Sequence, residues 1–243
     1  MPCLEVIVDT VEDAFAAEKG GATRISILSH YPSTGVTPSY GMVARIREII
    51  KIPVVVLICP HTRCYVPSEE DLVTSLYDIE AFRKLGINDF LMGFIDQTNN
   101  LNIPIIEKIK TEFDDIYLHS RILWEYSRDI ENTIETTIRL GFLSMRASGN
   151  GALNSLTYDD NSTTIKNLLR IKEIAKDRIE ILLTGGISET NLEKIIRKTN
   201  ILNLQIGRGV RTPNNSYSPV DPSKVAMIRS KQMSLYEEIC IQN

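Results

Sequence analysis

The sequence contains few cysteines and no segment that marks export or membrane insertion. Its four cysteines among 243 residues show no Cys-x-x-Cys spacing, which argues against a disulfide scaffold and predicts reduced thiols. The longest apolar run, Val54 to Cys59, is far shorter than the ~20 residues that a bilayer span needs. An acid, Glu5, stands where a secretory signal would have its apolar segment. We therefore expect a cytoplasmic protein without a membrane partner.

The sequence also lacks any block of five like charges. Lys and Arg total 27 and Asp and Glu total 31, so the formal net charge is −4. Without a basic stripe, a nucleic-acid partner is not expected. With 43% hydrophobic and 24% charged residues, the composition is typical of a globular protein, and we expect one domain over residues 1–243.

Short apolar segments alternate with amphipathic ones, one pair in about every thirty residues, which indicates a parallel sheet. The predicted strands are Leu4–Val8, Arg24–Leu28, Pro53–Cys59, Phe90–Ile95, Ile116–His119, Leu143–Ala147, Ile179–Thr184 and Leu202–Ile206. The predicted helices are Val11–Lys19, Tyr40–Ile50, Glu69–Leu85, Pro104–Phe113, Asp129–Leu140, Thr164–Lys176, Glu189–Lys198 and Pro222–Ile239. Eight such units predict an α/β fold of the (β/α)8 TIM barrel type. A doubly wound open sheet is the alternative, although no Gly-x-Gly-x-x-Gly turn follows the first strand.

The three histidines all lie near predicted strand ends. His30 follows the second strand, His61 follows the third, and His119 closes the fifth. Active sites of TIM barrels form at the carboxyl ends of the strands, so we expect His61 and His119 to face one cavity. A side chain with a near-neutral pKa suits acid/base catalysis there. The plainer interpretation is that each histidine is an ordinary polar loop residue.

Arginines are frequent at the same strand ends. Arg121, Arg146 and Arg208 belong to the fifth, sixth and eighth predicted strands or follow them, and Arg24 lies lower in the second. Guanidinium groups bind carboxylates and phosphates through charge-assisted hydrogen bonds, which predicts a small anionic ligand. Alternatively, Arg146 and Arg208 lie on outer strand faces and pair with helix carboxylates.

Two glycine-rich turns add to the expected anion site. Thr184-Gly185-Gly186-Ile187-Ser188 follows the seventh strand, and Gly207-Arg208-Gly209 follows the eighth. Such turns can present backbone N–H groups to an anion, aided by a helix beginning near Ser188. The alternative is that these glycines only form tight turns.

Glu5 interrupts the apolar first strand. A buried acid must be paired or have a raised pKa, and Arg24 on the adjacent strand is the expected partner. The pair is interpreted either as part of the scaffold or as part of a catalytic site, because structural ion pairs also shift pKa values.

One segment offers ligands for a soft metal ion. Cys59, His61 and Cys64 lie within one short stretch, and thiolates select Cu(I) or Zn(II). The spacing matches no standard zinc finger, and no fourth ligand is near in sequence. No metal is therefore expected, and these three residues are the alternative copper site.

Several segments, in their order along the chain, resemble the CutC copper homeostasis protein family. They are Leu4-Glu5-Val6, Gly20-Gly21-Ala22-Thr23-Arg24-Ile25, Gly35-Val36-Thr37-Pro38-Ser39, Ile52-Pro53-Val54, Met92-Gly93, His119, Ser148-Gly149 and Gly185-Gly186-Ile187. The resemblance implies a (β/α)8 barrel, a possible homodimer and a role in copper handling.

The departures from the family pattern concern the polar positions. Ile7 and Leu28 stand where the family usually has the cysteines proposed for copper, and Gln205 stands where it has a histidine. Cys59-Pro60-His61 replaces the usual Arg-Pro-Arg, and His119-Ser120 replaces His-Arg. Such changes within a retained scaffold indicate a diverged member that accepts a different ligand.

The leading hypothesis is a cofactor-independent lyase, isomerase or cyclase that acts on a small anionic metabolite. Its predicted catalytic residues are His119, His61 and Glu5. The predicted ligand contacts are Arg24, Ser26, Cys59, Arg121, Arg146, Thr184, Gly186, Gln205 and Arg208. A copper-binding homeostasis protein without catalysis is the alternative function, and a ligand-binding barrel without chemistry is a third.

Overall fold

In a computed structural model of the protein, residues 1–33, 35–121, 127, 129–149 and 163–242 are described. Within them, eight strands alternate with eight helices. The strands are β1 Leu4–Val8, β2 Arg24–Ile27, β3 Val54–Leu57, β4 Asp89–Met92, β5 Tyr117–Ser120, β6 Ser144–Ala147, β7 Glu180–Leu183 and β8 Leu204–Ile206. The helices are α1 Val11–Lys19, α2 Tyr40–Ile49, α3 Glu69–Arg83, α4 Ile103–Glu112, α5 Ile130–Arg139, α6 Thr163–Ala175, α7 Leu192–Thr199 and α8 Pro222–Gln242.

The strands form a closed barrel in chain order, with β8 paired to β1 and every neighbouring pair parallel. This topology confirms the (β/α)8 TIM barrel and excludes the open doubly wound sheet. Closure removes exposed strand edges, and the helices cover the outer surface of the barrel.

The hydrophobic core lies mainly between the barrel and its ring of helices. Every residue of β3 is buried, as expected for a strand covered on both faces. Helix α7 shows the matching pattern, since its buried Leu192, Ile195, Ile196 and Thr199 recur at helical spacing on one face. Each fully buried aliphatic side chain contributes about 1.5–3 kcal/mol of transfer free energy to this packing.

Local signals set the ends of the helices. Ser68 caps α3 and forms a capping box with Asp71, in which each side chain bonds the other residue's backbone N–H. Gly86 and Gly141 precede β4 and β6 with positive φ angles of 76° and 74°, which place no strain on glycine. Helix α7 begins at Leu192, three residues after the predicted Glu189, so the predicted helix start near Ser188 is wrong.

The register directs polar residues into the part of the barrel interior that lies towards the amino ends of the strands, here called the lower half. Glu5 on β1 lies level with Arg24 on β2 and with Gln205 on β8. Because side chains alternate between the two faces of a strand, residues at one level of neighbouring strands point the same way. The interior of this barrel therefore contains charged groups where many barrels contain branched aliphatic residues.

Two further features concern the sequence expectations. Cys59 and Cys64 are paired as a disulfide with Cα atoms 6.1 Å apart, so reduced thiols were a wrong expectation for these two residues. Cys3 and Cys240 are free. Across the described residues, no helix is both long enough and apolar enough to span a membrane.

Candidate functional site

A cavity of about 160 Å³ opens at the carboxyl ends of the strands and is here called the mouth cavity. Its lining residues are Ile7, Leu28, Tyr31, Pro32, Leu57, Tyr65, Leu91, Arg121, Arg146, Thr184, Gly185, Gly186, Ile187, Gln205, Ile206, Gly207, Arg208 and Ser216. They come from strands, or from the loops that follow them, all around the barrel. The position is the one that TIM barrels use for ligands.

Arginine dominates the charge of the mouth cavity. Among the described lining residues, three are arginines and none carries a carboxylate. Arg121 follows β5, and its guanidinium lies 5.0 Å from the centre of the Tyr65 ring. Arg208 follows β8 and is exposed at the rim. This composition attracts anions and repels cations.

The charge of Arg146 is balanced inside the barrel. Its Nη2 atom lies 2.6 and 2.7 Å from the two carboxylate oxygens of Glu5, and its Nη1 donates to Ser144 Oγ at 2.9 Å. Both Arg146 and Glu5 are buried. Arg146 therefore closes the floor of the cavity as half of an ion pair.

Glu5 is the centre of a buried network below this floor. Arg24 donates to it at 2.6 Å and Gln205 Nε2 donates at 2.8 Å. Burial alone would raise the pKa of Glu5, but Arg146 and Arg24 outweigh burial and lower it to about 2. Arg24 also bonds Glu180 at 2.9 Å, and Gln205 Oε1 accepts the Thr184 hydroxyl at 2.9 Å. Glu5 is therefore a fixed anion that organises neighbouring side chains, rather than a group exposed to a ligand.

His119 belongs to the same interior network and does not line the mouth cavity. Its Nε2 bonds Asp89 at 2.8 Å and its Nδ1 bonds Ser144 Oγ at 2.7 Å. A carboxylate only accepts hydrogen bonds, so Nε2 carries the hydrogen and Nδ1 accepts from the serine. Burial lowers the pKa of His119, which favours this neutral ring. The register places His119 level with Ser144, two residues and about 7 Å lower than Arg146.

His61 also lies away from the mouth cavity. Its Nε2 pairs with Asp71 at 2.9 Å, beside the cap of α3, and its Nδ1 accepts the backbone N–H of Arg63 at 3.1 Å. The third histidine, His30, likewise does not line the cavity, and the structure describes all three. The expectation that His61 and His119 face one cavity is therefore wrong. His61 is held at the cap of α3 by its contact with Asp71. His119 lies deeper in the barrel, at the level of Ser144, and so does not reach the mouth cavity.

The two glycine-rich turns do meet at the mouth cavity, since Thr184, Gly185 and Gly186 line it together with Gly207 and Arg208. The N–H of Arg208, however, already donates to the hydroxyl of Tyr31 at 3.1 Å. A Cβ atom on Gly207 would lie 1.8 Å from that hydroxyl, so any other residue at this position would force the Tyr31 side chain to move. The helix that was expected to assist the first turn begins too late to do so.

The structure thus brings together part of the predicted site. The predicted ligand contacts that line the mouth cavity are Arg121, Arg146, Thr184, Gly186, Gln205 and Arg208. Those that do not line it are Arg24, Ser26 and Cys59, together with the predicted catalytic residues His119, His61 and Glu5. Ser26 contacts the cavity lining from behind, since its hydroxyl accepts a hydrogen bond from the lining residue Gln205 at 3.4 Å.

Two tyrosines of the cavity were missed. Tyr31 and Tyr65 follow β2 and β3, and both carry rings into the mouth cavity. The rule that identified the arginines, proximity to the carboxyl end of a strand, applies equally to these residues.

The donor atoms of the described residues do not form a copper site. Cys59 and Cys64 are bonded to each other, and both nitrogens of His61 have partners. Ile7 and Leu28, at the family's cysteine positions, line the mouth cavity with hydrocarbon. Within the described part of the chain, no group of three or more His, Cys, Asp or Glu side chains is placed to hold a metal ion.

The sequence is similar to those of known proteins in one family. The model of the CutC family matches residues 3–210. A CutC family protein of Bacteroides fragilis strain YCH46 is 29% identical over 198 residues, covering 81% of this chain and 76% of the relative. The human copper homeostasis protein cutC homolog is 28% identical over 235 residues, covering 96% and 82%.

Solved structures show the same fold. A structure of the copper homeostasis protein CutC from Streptococcus agalactiae has a TM-score of 0.75 at 21% identity, covering 85% of this chain and 98% of that one. Phosphoribosylanthranilate isomerase from Thermotoga maritima has a TM-score of 0.61 at 14% identity, covering 96% and 100%. At these identities the likeness concerns the barrel alone.

Proposed function

The chain belongs to the CutC family, and we propose that this member binds a small organic anion, a carboxylate or a phosphate, in the mouth cavity. The observation that carries the proposal is the lining itself, with three arginines and no carboxylate among its described residues. Glu5 already balances Arg146, so Arg208, which is exposed at the rim, is the arginine best placed to attract an anion, and Arg121 adds positive charge on the β5 side. A ligand carboxylate or phosphate would complete the charge balance of the site.

The size and walls of the cavity define the ligand further. A volume of about 160 Å³ is close to that of an engineered cavity, ~150 Å³, that accommodates benzene. Apolar side chains and two tyrosine rings form much of the wall. The ligand is therefore a compact molecule with an apolar body and at least one anionic group, as is common in concave binding sites.

The neighbouring β7 and β8 ends supply the anion-binding side. Gly186 follows β7 and Arg208 follows β8, and both line the cavity, so an anionic group on this side lies next to both residues. Arg121 extends from the end of β5. Histidine-based acid/base catalysis forms no part of this function, because no histidine lines the cavity. Besides arginine, the ionisable groups among the described lining residues are the hydroxyls of Tyr31 and Tyr65.

Copper handling, which the names of relatives suggest, is not favoured for this chain. The cavity offers hydrocarbon where soft donors are needed, and the two thiols of the alternative site are joined. A Cu(I) competition assay with a chromogenic chelator tests this directly. Stoichiometric Cu(I) binding that survives Cys59→Ser and Cys64→Ser substitution would reveal donors elsewhere and favour the copper function.

The proposal is tested with inorganic phosphate and a panel of small carboxylates. Thermal shift identifies the anions that stabilise the protein, and calorimetry then gives their affinities. We expect Arg208→Ala and Arg121→Ala each to weaken binding by about tenfold or more, which is 1.4 kcal/mol or more. Arg45→Ala is the matched control, because it removes one exposed positive charge that pairs with Glu48 on its own helix and does not line the cavity.

Two outcomes would contradict the proposal. One is the absence of any stabilising anion in the panel. The other is an affinity that falls equally in all three arginine variants, because the effect would then come from net charge and not from the mouth cavity.

A further inference from the structure

Tyr31 occupies an unusual position between two parts of the mouth cavity. It lies on a short 3₁₀ turn, Tyr31–Ser33, that follows β2. Its hydroxyl nevertheless reaches the turn after β8, where it accepts the N–H of Arg208 at 3.1 Å and packs directly on Gly207. The hydroxyl oxygen therefore sits beside the arginine proposed to hold the anion.

The Tyr31 ring is held from a second direction. The guanidinium of Arg211 lies 5.1 Å from the ring centre. Arg211 is itself buried; it donates a hydrogen bond to Asp9 at 3.0 Å and forms an ion pair with Asp13 at 2.9 Å, both on the segment where β1 leads into α1. Because this cluster fixes Arg211, the ring above it has a defined orientation.

The hydroxyl hydrogen of Tyr31 is available to donate a hydrogen bond. A phenol accepts and donates, and the N–H of Arg208 satisfies the accepting side. Among the described residues, no acceptor for the hydroxyl hydrogen is found. Burial raises the pKa of Tyr31, although Arg211 and Arg208 oppose this effect. The group therefore keeps its hydrogen at neutral pH and remains a donor.

We propose that Tyr31 is a ligand-contacting, specificity-determining residue whose hydroxyl donates a hydrogen bond to an oxygen of the anion bound beside Arg208. This inference rests on the proposed function. It restricts the anionic group to one with an unprotonated oxygen at the β8 side of the cavity. The backbone N–H of Arg208 orients the donor and does not itself bind the ligand.

The test uses inorganic phosphate and the carboxylate with the highest affinity for the wild-type protein. Tyr31→Phe removes the donor while keeping the ring, and we expect both affinities to fall about tenfold, as for loss of a charge-assisted hydrogen bond. Tyr77→Phe is the matched control, since Tyr77 is exposed on α3 and does not line the cavity. Its affinities should equal those of the wild type.

A second variant separates donation from positioning. Fluorinated tyrosine introduced at position 31 keeps the ring and the accepting oxygen but makes the hydroxyl a stronger donor. In mildly acidic buffer, where the hydroxyl stays protonated, the inference predicts tighter phosphate binding. A purely structural role would leave the affinity unchanged.

The outcomes separate this inference from the proposed function. If the wild-type protein binds no member of the anion panel, both fail. If it binds an anion and Tyr31→Phe binds equally well, Tyr31 is not a donor and only this inference fails. If Tyr31→Phe binds more tightly, the hydroxyl occupies the place of a ligand oxygen, which also overturns the inference.

Discussion

Neutralising Glu5 is the strongest test of how the barrel interior is held together. Glu5 is fully buried, and its carboxylate faces Arg146 at 2.6 Å and Arg24 at 2.6 Å. Glu5→Gln retains the shape of the side chain but leaves the buried guanidinium of Arg146 without its countercharge. The amide nitrogen would also face donors, such as Gln205 Nε2, where an acceptor is needed.

Two physical arguments give the same magnitude for Glu5→Gln. Removing one partner of a buried ion pair costs about 3–5 kcal/mol. Independently, the pKa of Glu5 falls from 4.5 to about 2 on folding, and ~1.4 kcal/mol per pKa unit gives roughly 3 kcal/mol. Because the folded pKa is the lower one, this stabilisation is present above pH 4.5 and is lost as the pH falls towards 2.

Urea unfolding at neutral pH measures the effect. We expect Glu5→Gln to lower the free energy of unfolding by about 3 kcal/mol. In the double variant Glu5→Gln/Arg146→Met, the loss should be smaller than the sum of the losses in the two single variants. Glu48→Gln is the control, because its exposed pair with Arg45 contributes at most about 0.5 kcal/mol. A loss for Glu5→Gln no larger than that of Glu48→Gln would refute the reasoning.

Three other predictions follow from packing, protonation and thiol chemistry. Gly207→Ala should lower the melting temperature and weaken anion binding because its Cβ would displace a tyrosine hydroxyl, whereas Gly41→Ala, with open space around it, should be neutral or stabilising. His119 has a lowered pKa through burial, so stability should fall as the pH drops below 6.5, and urea titrations of His119→Gln should show a smaller fall. Alkylation of the denatured, unreduced protein followed by mass spectrometry should label two of its four thiols, and labelling of all four would contradict the Cys59–Cys64 pair.

The sequence predicts the barrel well because the fold depends on alternation and on helix ends, both of which are local. The bounds of β1 and α1 agree with the predicted Leu4–Val8 and Val11–Lys19. Glycines before β4 and β6 take the left-handed backbone that a helix end favours. Such signals need no knowledge of how distant segments meet.

The candidate site was only partly predictable because depth within a barrel is not local. Arg208 and His119 were both expected at the mouth, since each lies near a strand end. Barrel strands are tilted and staggered, so their ends do not share one height. His119 consequently lies on the level of Ser144, beneath the floor that Arg146 forms. Sequence position also could not show that Glu5 balances the charge of Arg146.

The buried carboxylate of β1 also sets a condition on when the protein can finish folding. Arg146 and Gln205 follow Glu5 by 141 and 200 residues. Contacts this distant in sequence are slow to form, because the long intervening chain must first be ordered. During synthesis, Glu5 can therefore meet Arg24 early, but it meets Arg146 and Gln205 only after β6 and β8 have been made. A chain that ends before β8 would lack the Gln205 amide that donates to this carboxylate, so the buried network is complete only when β8 closes the ring.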